Sequence, residues 1–536
     1  MNRHLIISAL VICALSFFGP AVGRAMAAEP VSPSVLIKGG LVYDGSEAEP
    51  QVCDILVQGD RIVAVGNCNK WKRGERKAAR KAQVIDAGGL VVAPGFIDPH
   101  SHINSDLVKA KYKNGEGYLT MGVTTVLCGV CGGSPVPLSQ QAKTLEKQGT
   151  GLNVGYFIGL GSVRRKVLGT QQRVPTAEEL EVMKSYVHEA MEWGAFGVSS
   201  GLIYTPGLFA KTDELIELTK VATPYRGIYT THMRSEGENI DEALEEALTV
   251  GAAAGVDVNI SHIKCAGEAV HGHSTAVIER IERAQAEGMH VTADQYAYGA
   301  SSTSLKATVL PGWAAAQSRE ALNRMFDDPD TLEMIKKELD RNITYYENGE
   351  TIIFPATSSV KELRGKSLAE AARMWNMTPV DAAVKLFRTG SPSVIKHSMA
   401  EEDIRNFMSR EWTMTCTDGS IGGHPRSFGS FTRKIAKYVR EDHLLTLGEA
   451  IRRCTGLVAD TYGIADRGYI RKGAYADIVV FDADKVKDNA TYTEPRLTST
   501  GFRMVMVNGR VAVDNDTVTG ELAGVIVKMD NSAKVR

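Results

Sequence analysis

At 536 residues, 43 % of them hydrophobic and 23 % charged, the chain is long enough for more than one structural unit and carries ample apolar material for a large core. Its 61 basic and 63 acidic residues nearly cancel, so the electrostatic footprint of a nucleic-acid binder is missing. Beyond an apolar run from Leu5 to Phe18, no segment approaches the ~20 residues that a membrane-crossing helix needs.

The N-terminus places Arg3 and His4 before that apolar run, then Gly19-Pro20 and the small-residue pattern Ala25-Met26-Ala27. This is the arrangement of a secretory signal peptide, residues 1–27, cleaved before Ala28. The mature chain is therefore expected to be exported, most simply to a bacterial periplasm, without stable membrane insertion. Export permits disulfides. Cys53 and Cys68 flank an expected hairpin, with strands at residues 54–57 and 61–65 around Gly59-Asp60, and either bridge or remain as two thiols.

Residues 28–93 read as short β-rich runs broken by Gly and Asp: VLIKGGLVYDG, DILVQGDRIVAVG and QVIDAGGLVVAPG. Between the last two, the interval from Lys70 to Lys81 is strongly basic, with Glu75 as its acidic residue, and is expected to be a solvated loop or helix. After Pro94-Gly95 the pattern changes to apolar runs separated by helical stretches: FIDPHSH, TTVLCG, VGYFIGL, AFGVSSG, GIYTTHM, VDVNISHI, HVTADQY and TMTCTDG. Eight such runs predict an α/β fold, a (β/α)8 barrel over residues 94–467. The eighth run comes only after residues 301–412, an interval containing SREALNRMFDDPDTLEMIKKEL and longer than a βα connection needs, so an inserted subdomain is expected there. Residues 468–536 return to β-type sequence, GAYADIVVFD and FRMVMVNGRVAVDN, so that both chain ends are expected to share one small β-sandwich.

In a parallel barrel the site forms at the carboxyl ends of the strands. Here the first run ends in His100-Ser101-His102, and strand alternation turns both imidazoles to one side. The second is followed by Cys128 and Cys131, the fifth ends at His232, the sixth at His262 and the eighth at Asp418. Any one of these alone would be an ordinary hydrogen-bonded histidine or a turn aspartate. Gathered at one end of a barrel, they offer the N, S and O donors that zinc accepts. Such an ion would polarise an amide carbonyl and acidify water to near neutrality, with Asp418 taking the proton and passing it to the leaving amine. The fourth run, AFGVSSG, has no lysine, so a carboxylated lysine bridging two metals cannot come from it.

The segments APGFIDPHSH, GVTTVLCGVCG, GAFGVSSGLIYTPG, THMRSEG, ISHIKCAG, ADQYAYGASSTSL, TDGSIGGHPRSFGSFTRKIAKYVRE and KGAYADIVVFD give the chain its resemblance. From about residue 35 to 528 it resembles the amidohydrolase superfamily and, within it, the N-acyl-D-amino acid deacylases. That likeness implies zinc-dependent cleavage of an N-acyl-D-amino acid, a small-molecule substrate. It further implies a thiolate ligand at Cys131, with Cys128 as competitor, alongside His232 and His262. His100, His102 and Asp418 would form a second site, leaving one zinc or two open. It also implies a pocket for the substrate α-carboxylate made by Lys264, Tyr296, Ser302 and Arg426, where Arg supplies a forked donor pair and Lys a point charge. Ala297 stands where the family often has Pro, and Gly422-Gly423 makes a compact turn before His424, which bears on pocket shape. Other readings are a hydrolase of cyclic amides such as hydantoins or dihydropyrimidines, a dipeptidase releasing a C-terminal D-residue, or a non-catalytic relative.

Overall fold

The computed structural model describes residues 34–530, so the expected signal peptide lies outside the described residues. Each of the eight apolar runs forms a strand: Phe96–Asp98, Val123–Cys128, Asn153–Tyr156 continued by Ile158–Gly159, Gly197–Gly201, Ile228–His232, Val258–Ile260, Val291–Gln295 and Thr413–Thr415. Every residue of these strands is buried, as expected of parallel strands covered by helices outside and by side chains within. All neighbouring pairs run parallel. The ring is closed between the first and last strands by a parallel bridge of Ser101 with Gly419. Asp418 N donates to His100 O at 2.9 Å and His102 N to Gly419 O at 2.8 Å, so the residues that close the barrel are neighbours in the site.

The outer helices carry ordinary stop and start signals. Ala177–Trp193, for example, begins with a capping box between Thr176 and Glu179 and ends at left-handed Gly194. Both chain ends build one nine-stranded sheet, in which Val91–Pro94 pairs antiparallel with Ile478–Phe481. The sheet folds back on itself: Ile62 N donates to Ala474 O at 2.9 Å and Ala476 N to Asp60 O at 2.7 Å, tying its far edge to the C-terminal half. The enclosed core draws Ile37, Ile55 and Val92 from one end and Ile478, Val480 and Met504 from the other.

Cys53 and Cys68 are both free thiols. The paired register ends with Asp54 opposite Gly66, and Cys68 lies beyond the strand at the start of a short 3-10 turn, Cys68–Lys70. Cys53 packs into the core enclosed by the sheet, whereas Cys68 lies with Trp71, Leu36 and Leu56 in a separate cluster. The two thiols thus lie against separate clusters and are not bridged. Trp71 is also the anchor of the basic interval, which forms a short helix, Arg73–Ala79.

The inserted interval has its own apolar core, including Leu339, Phe354 and Phe387. The single helical stretch read from the sequence is two helices, Arg319–Asp327 and Pro329–Thr344. They are split because a residue before proline avoids helical dihedrals: Asp328 is extended at ψ 115° and caps the second helix by accepting from Thr331 N at 3.0 Å. A three-stranded antiparallel sheet, Ala300–Ser304 with Ser393–His397 and Ile352–Ile353, was not legible in the sequence. Its first strand, ASSTS, has no apolar alternation to betray it.

Candidate metal centre

Cys131 sits in the loop after the second strand, between Gly129 at φ 79° and Gly132 at φ 71°. A side chain at Gly129 would collide with the backbone of Phe157, so the loop can only be built this tightly with glycine. Ser199, on the fourth strand, fastens the loop: its hydroxyl donates to Gly129 O at 2.5 Å and accepts from Gly132 N at 3.1 Å. A Cβ on Gly201 would meet Cys131 O at 2.1 Å, so the fourth strand is small where the cysteine loop enters. Cys131, His262 and Asp418 all have left-handed backbone, at φ 51°, 38° and 46°. Non-glycine residues adopt it at a cost that surrounding structure must offset, and such residues gather at functional sites.

The thiol of Cys131 is the centre of the arrangement. Its Sγ is 3.4 Å from His262 Nε2 and 3.7 Å from His232 Nδ1 on one side. On the other it is 3.2 Å from His100 Nε2, and Asp418 Oδ1 lies 3.6 Å from His100 Nε2 and 3.2 Å from His102 Nε2. Two donor groups therefore share one sulfur, Cys131 with His232 and His262, and Cys131 with His100, His102 and Asp418, with the donor atoms of each within 4.8 Å of one another. A sulfur and a nitrogen held tetrahedrally at zinc bond lengths stand ~3.6 Å apart. The 3.4 and 3.7 Å separations fit that spacing. Cys128 belongs to neither group; it is fully buried in the barrel core, which pushes its thiol above the ordinary range.

Burial would also push the Cys131 thiol up, yet the imidazoles of His100 and His262 outweigh it and hold the thiol well below its usual value. Burial likewise works against the Asp418 carboxylate, but the Arg426 guanidinium, with Nη1 2.6 Å from Oδ2, holds it well below the carboxylate range. At the end of the first strand, burial raises Asp98 to about 7; it accepts from Thr417 N at 3.0 Å and His100 N at 3.2 Å, pinning the two closing segments together.

The four residues expected around a substrate carboxylate are also brought together. The Tyr296 ring stands between two cations, 4.7 Å from the Arg426 guanidinium and 5.6 Å from Lys264 Nζ, and its buried hydroxyl makes no hydrogen bond. Arg426 Nη2 donates to Ser302 O at 3.3 Å, and His424 Nε2 lies 2.9 Å from Ala300 O, seating the loop after the eighth strand on the inserted sheet. Lys264, however, is engaged: its Nζ donates to Glu236 Oε1 at 2.6 Å.

Glu236 and Asp294 were not singled out from the sequence. Glu236 Oε1 is 2.9 Å from His262 Nδ1 and Oε2 is 3.6 Å from His232 Nε2. Asp294 Oδ1 is 3.5 Å from His100 Nδ1 and accepts from His262 N at 2.8 Å. The available signals were an acid four residues past a strand-end histidine, in HMRSE, and an ionisable aspartate inside a barrel strand, in VTADQ.

Residues 83–513 match the model of the amidohydrolase family. N-acyl-D-glutamate deacylase from Alcaligenes xylosoxydans xylosoxydans is 35 % identical over 500 residues, covering 89 % of this chain and 92 % of the relative. D-aminoacylase from the same organism is 33 % identical over 521 residues, covering 91 % and 96 %. The solved structure of N-acyl-D-glutamate deacylase from Bordetella bronchiseptica, complexed with zinc and a phosphonate inhibitor, superposes with a TM-score of 0.77 at 31 % identity, covering 92 % of this chain and 99 % of that one. This chain belongs to the amidohydrolase family, in the group of D-aminoacylase and the N-acyl-D-amino acid deacylases.

Proposed function

We propose that the chain is a zinc-dependent deacylase that hydrolyses the amide bond of N-acyl-D-amino acids, releasing a carboxylate and a free D-amino acid. The observation that carries the reading is the pairing of two features at one barrel mouth. One is the Cys131 thiol shared by two donor groups, and the other is the cationic pair Lys264 and Arg426 around Tyr296. The zinc-loaded relative and its family supply the chemistry to which this geometry is suited.

Cys131, His232 and His262 would hold one zinc; His100, His102 and Asp418, with Cys131 as shared ligand, would hold a second. Zinc, when bound, polarises the amide carbonyl and lowers the pKa of the attacking water. Asp418 is ionised and placed beside His100 and His102, so it can take a proton from that water and return it to the leaving amine. Arg426, Lys264, Tyr296 and Ser302 would orient the substrate by its α-carboxylate, a group that every N-acyl amino acid retains. The compact loops at Cys131 and Asp418 keep these groups in place before substrate arrives, which lowers the entropic cost of reaching the reactive geometry.

The N-terminal pattern supports export to a periplasm, and the change of pattern at residues 93 and 467 supports dividing the mature chain into a β-sandwich at 28–93 and 468–536 and a barrel between. The test is a screen of the purified chain against N-acetyl-D-amino acids, their L-enantiomers and a hydantoin, with zinc measured on the same preparation. Turnover of the D-series that follows zinc at one to two equivalents and is lost on chelation is expected. Turnover of the hydantoin alone, or full activity in metal-free protein, would overturn the reading.

A further inference from the structure

We infer that Glu236 is a positioning residue that sets the tautomers of both His232 and His262 and keeps Lys264 from reversing one of them. The inference rests on the ligation by Cys131, His232 and His262 proposed above.

A neutral imidazole has one nitrogen with a free lone pair and one that carries a proton, so a ligand histidine must put its proton on the side away from the ion. The two histidines face Cys131 through different nitrogens: His232 through Nδ1, His262 through Nε2. Their protons must therefore sit on His232 Nε2 and His262 Nδ1. One carboxylate faces both positions, Glu236 Oε1 at 2.9 Å from His262 Nδ1 and Oε2 at 3.6 Å from His232 Nε2. His232 Nε2 is buried and makes no hydrogen bond, so Glu236 is the acceptor it faces.

Lys264 makes this selection necessary. Its Nζ lies 2.8 Å from His262 Nδ1 as well as 2.6 Å from Glu236 Oε1. An ammonium can only donate. If Lys264 donated to Nδ1, the imidazole proton would move to Nε2, pointing at the Cys131 sulfur and removing the lone pair a metal needs. Glu236 gives that ammonium a charged acceptor that competes with the imidazole. It also holds the lysine within reach of the carboxylate pocket, so the metal half and the substrate half of the site meet at this side chain.

The test is the zinc dissociation constant of metal-stripped full-length protein, measured by competition with a chromophoric chelator, with folding followed by circular dichroism. Glu236→Ala is expected to weaken zinc binding about 10- to 100-fold, and Glu236→Gln, which keeps the shape, to weaken it less. Adding Lys264→Met to Glu236→Ala should restore most of the loss, and Lys264→Met alone should bind zinc no more weakly than the parent while raising KM. Parental zinc affinity in both Glu236 variants would overturn the inference. A Glu236→Ala loss that Lys264→Met does not relieve would overturn the part given to Lys264. Cys131→Ser separates the two levels: if it too binds zinc like the parent, the ligation itself fails, whereas loss in Cys131→Ser with no loss in the Glu236 variants refutes Glu236 alone.

Discussion

Among the described residues two lysines are buried, Lys264 at 4 % exposure and Lys434 at 2 %, and the protein keeps them in opposite ways. Lys264, at the barrel mouth, meets the Glu236 carboxylate at 2.6 Å. Lys434 lies behind the eighth strand, where its ammonium donates to the neutral hydroxyl of Thr415 at 2.5 Å and has no carboxylate within ion-pair distance among the described residues. Burial pushes Lys434 down to about 8. Taking an ammonium out of water without a counter-charge is costly, and pairing it offsets that cost. The mouth thus carries its charges in matched sets, Lys264 with Glu236 and Arg426 with Asp418, whereas the flank carries one unmatched charge whose cost falls on stability. Changes at the mouth should alter turnover, and a change at the flank should alter stability.

The largest effect is expected at Asp418. Asp418→Asn should lower kcat by ~10²–10⁴-fold, retain zinc at the thiolate group and leave substrate affinity near the parent's. Steady-state kinetics and metal analysis on one preparation check it, and a near-normal kcat would move the proton carrier elsewhere. Next comes Arg426. If it reads the substrate carboxylate, Arg426→Ala should depress kcat/KM for N-acyl-D-amino acids on the order of 10- to 100-fold. A substrate amidated at that carboxyl should lose much less, and equal losses for acid and amide would remove the carboxylate contact from the account.

Lys434 should respond in stability alone. Because its folded value is depressed from 10.5 to about 8, the unfolded chain binds the extra proton between those values, and stability rises as pH climbs through that window. Below about 8 the full penalty applies, on the order of 3 kcal/mol. Lys434→Met should therefore stabilise the protein at neutral pH, with kcat unchanged, and its advantage should shrink toward pH 10.5. Denaturant titrations of both proteins across that range test this; a constant difference would mean the ammonium is not the source. The smallest effect belongs to the cysteines of the N-terminal hairpin. Cys53 and Cys68 are expected to be alkylated as free thiols under non-reducing, denaturing conditions, and Cys68→Ser should change stability by less than ~1 kcal/mol. A Cys53–Cys68 peptide in a non-reducing digest would contradict the register of that hairpin.

Much of this molecule could be read before its structure. The eight barrel strands were legible because parallel strands covered on both faces must be continuous runs of apolar and small residues, and polar residues at their carboxyl ends then stand out. His100, His102, His232, His262 and Asp418 were all found in this way, since their position at a strand end is a local property of the chain. The small sheet of the insertion was not, because ASSTS pairs through its backbone and carries no apolar pattern.

What the sequence determined by itself was therefore the order of elements and the list of reactive groups at one end of them. Only the tertiary structure decided which groups meet. Cys131 rather than Cys128 reaches the histidines because glycine-built curvature turns the loop inward, while strand pairing buries Cys128 in the core. Cys53 and Cys68 part because the chain leaves the hairpin after Gly66 and turns Cys68 into a separate cluster with Trp71 and Leu36. Glu236 stands behind two histidines 30 residues apart in sequence, and Arg426 against Asp418, because barrel closure converts sequence separation into distances of a few ångströms. Hydrogen bonds and ion pairs depend on such distances, and no local pattern of residues encodes them.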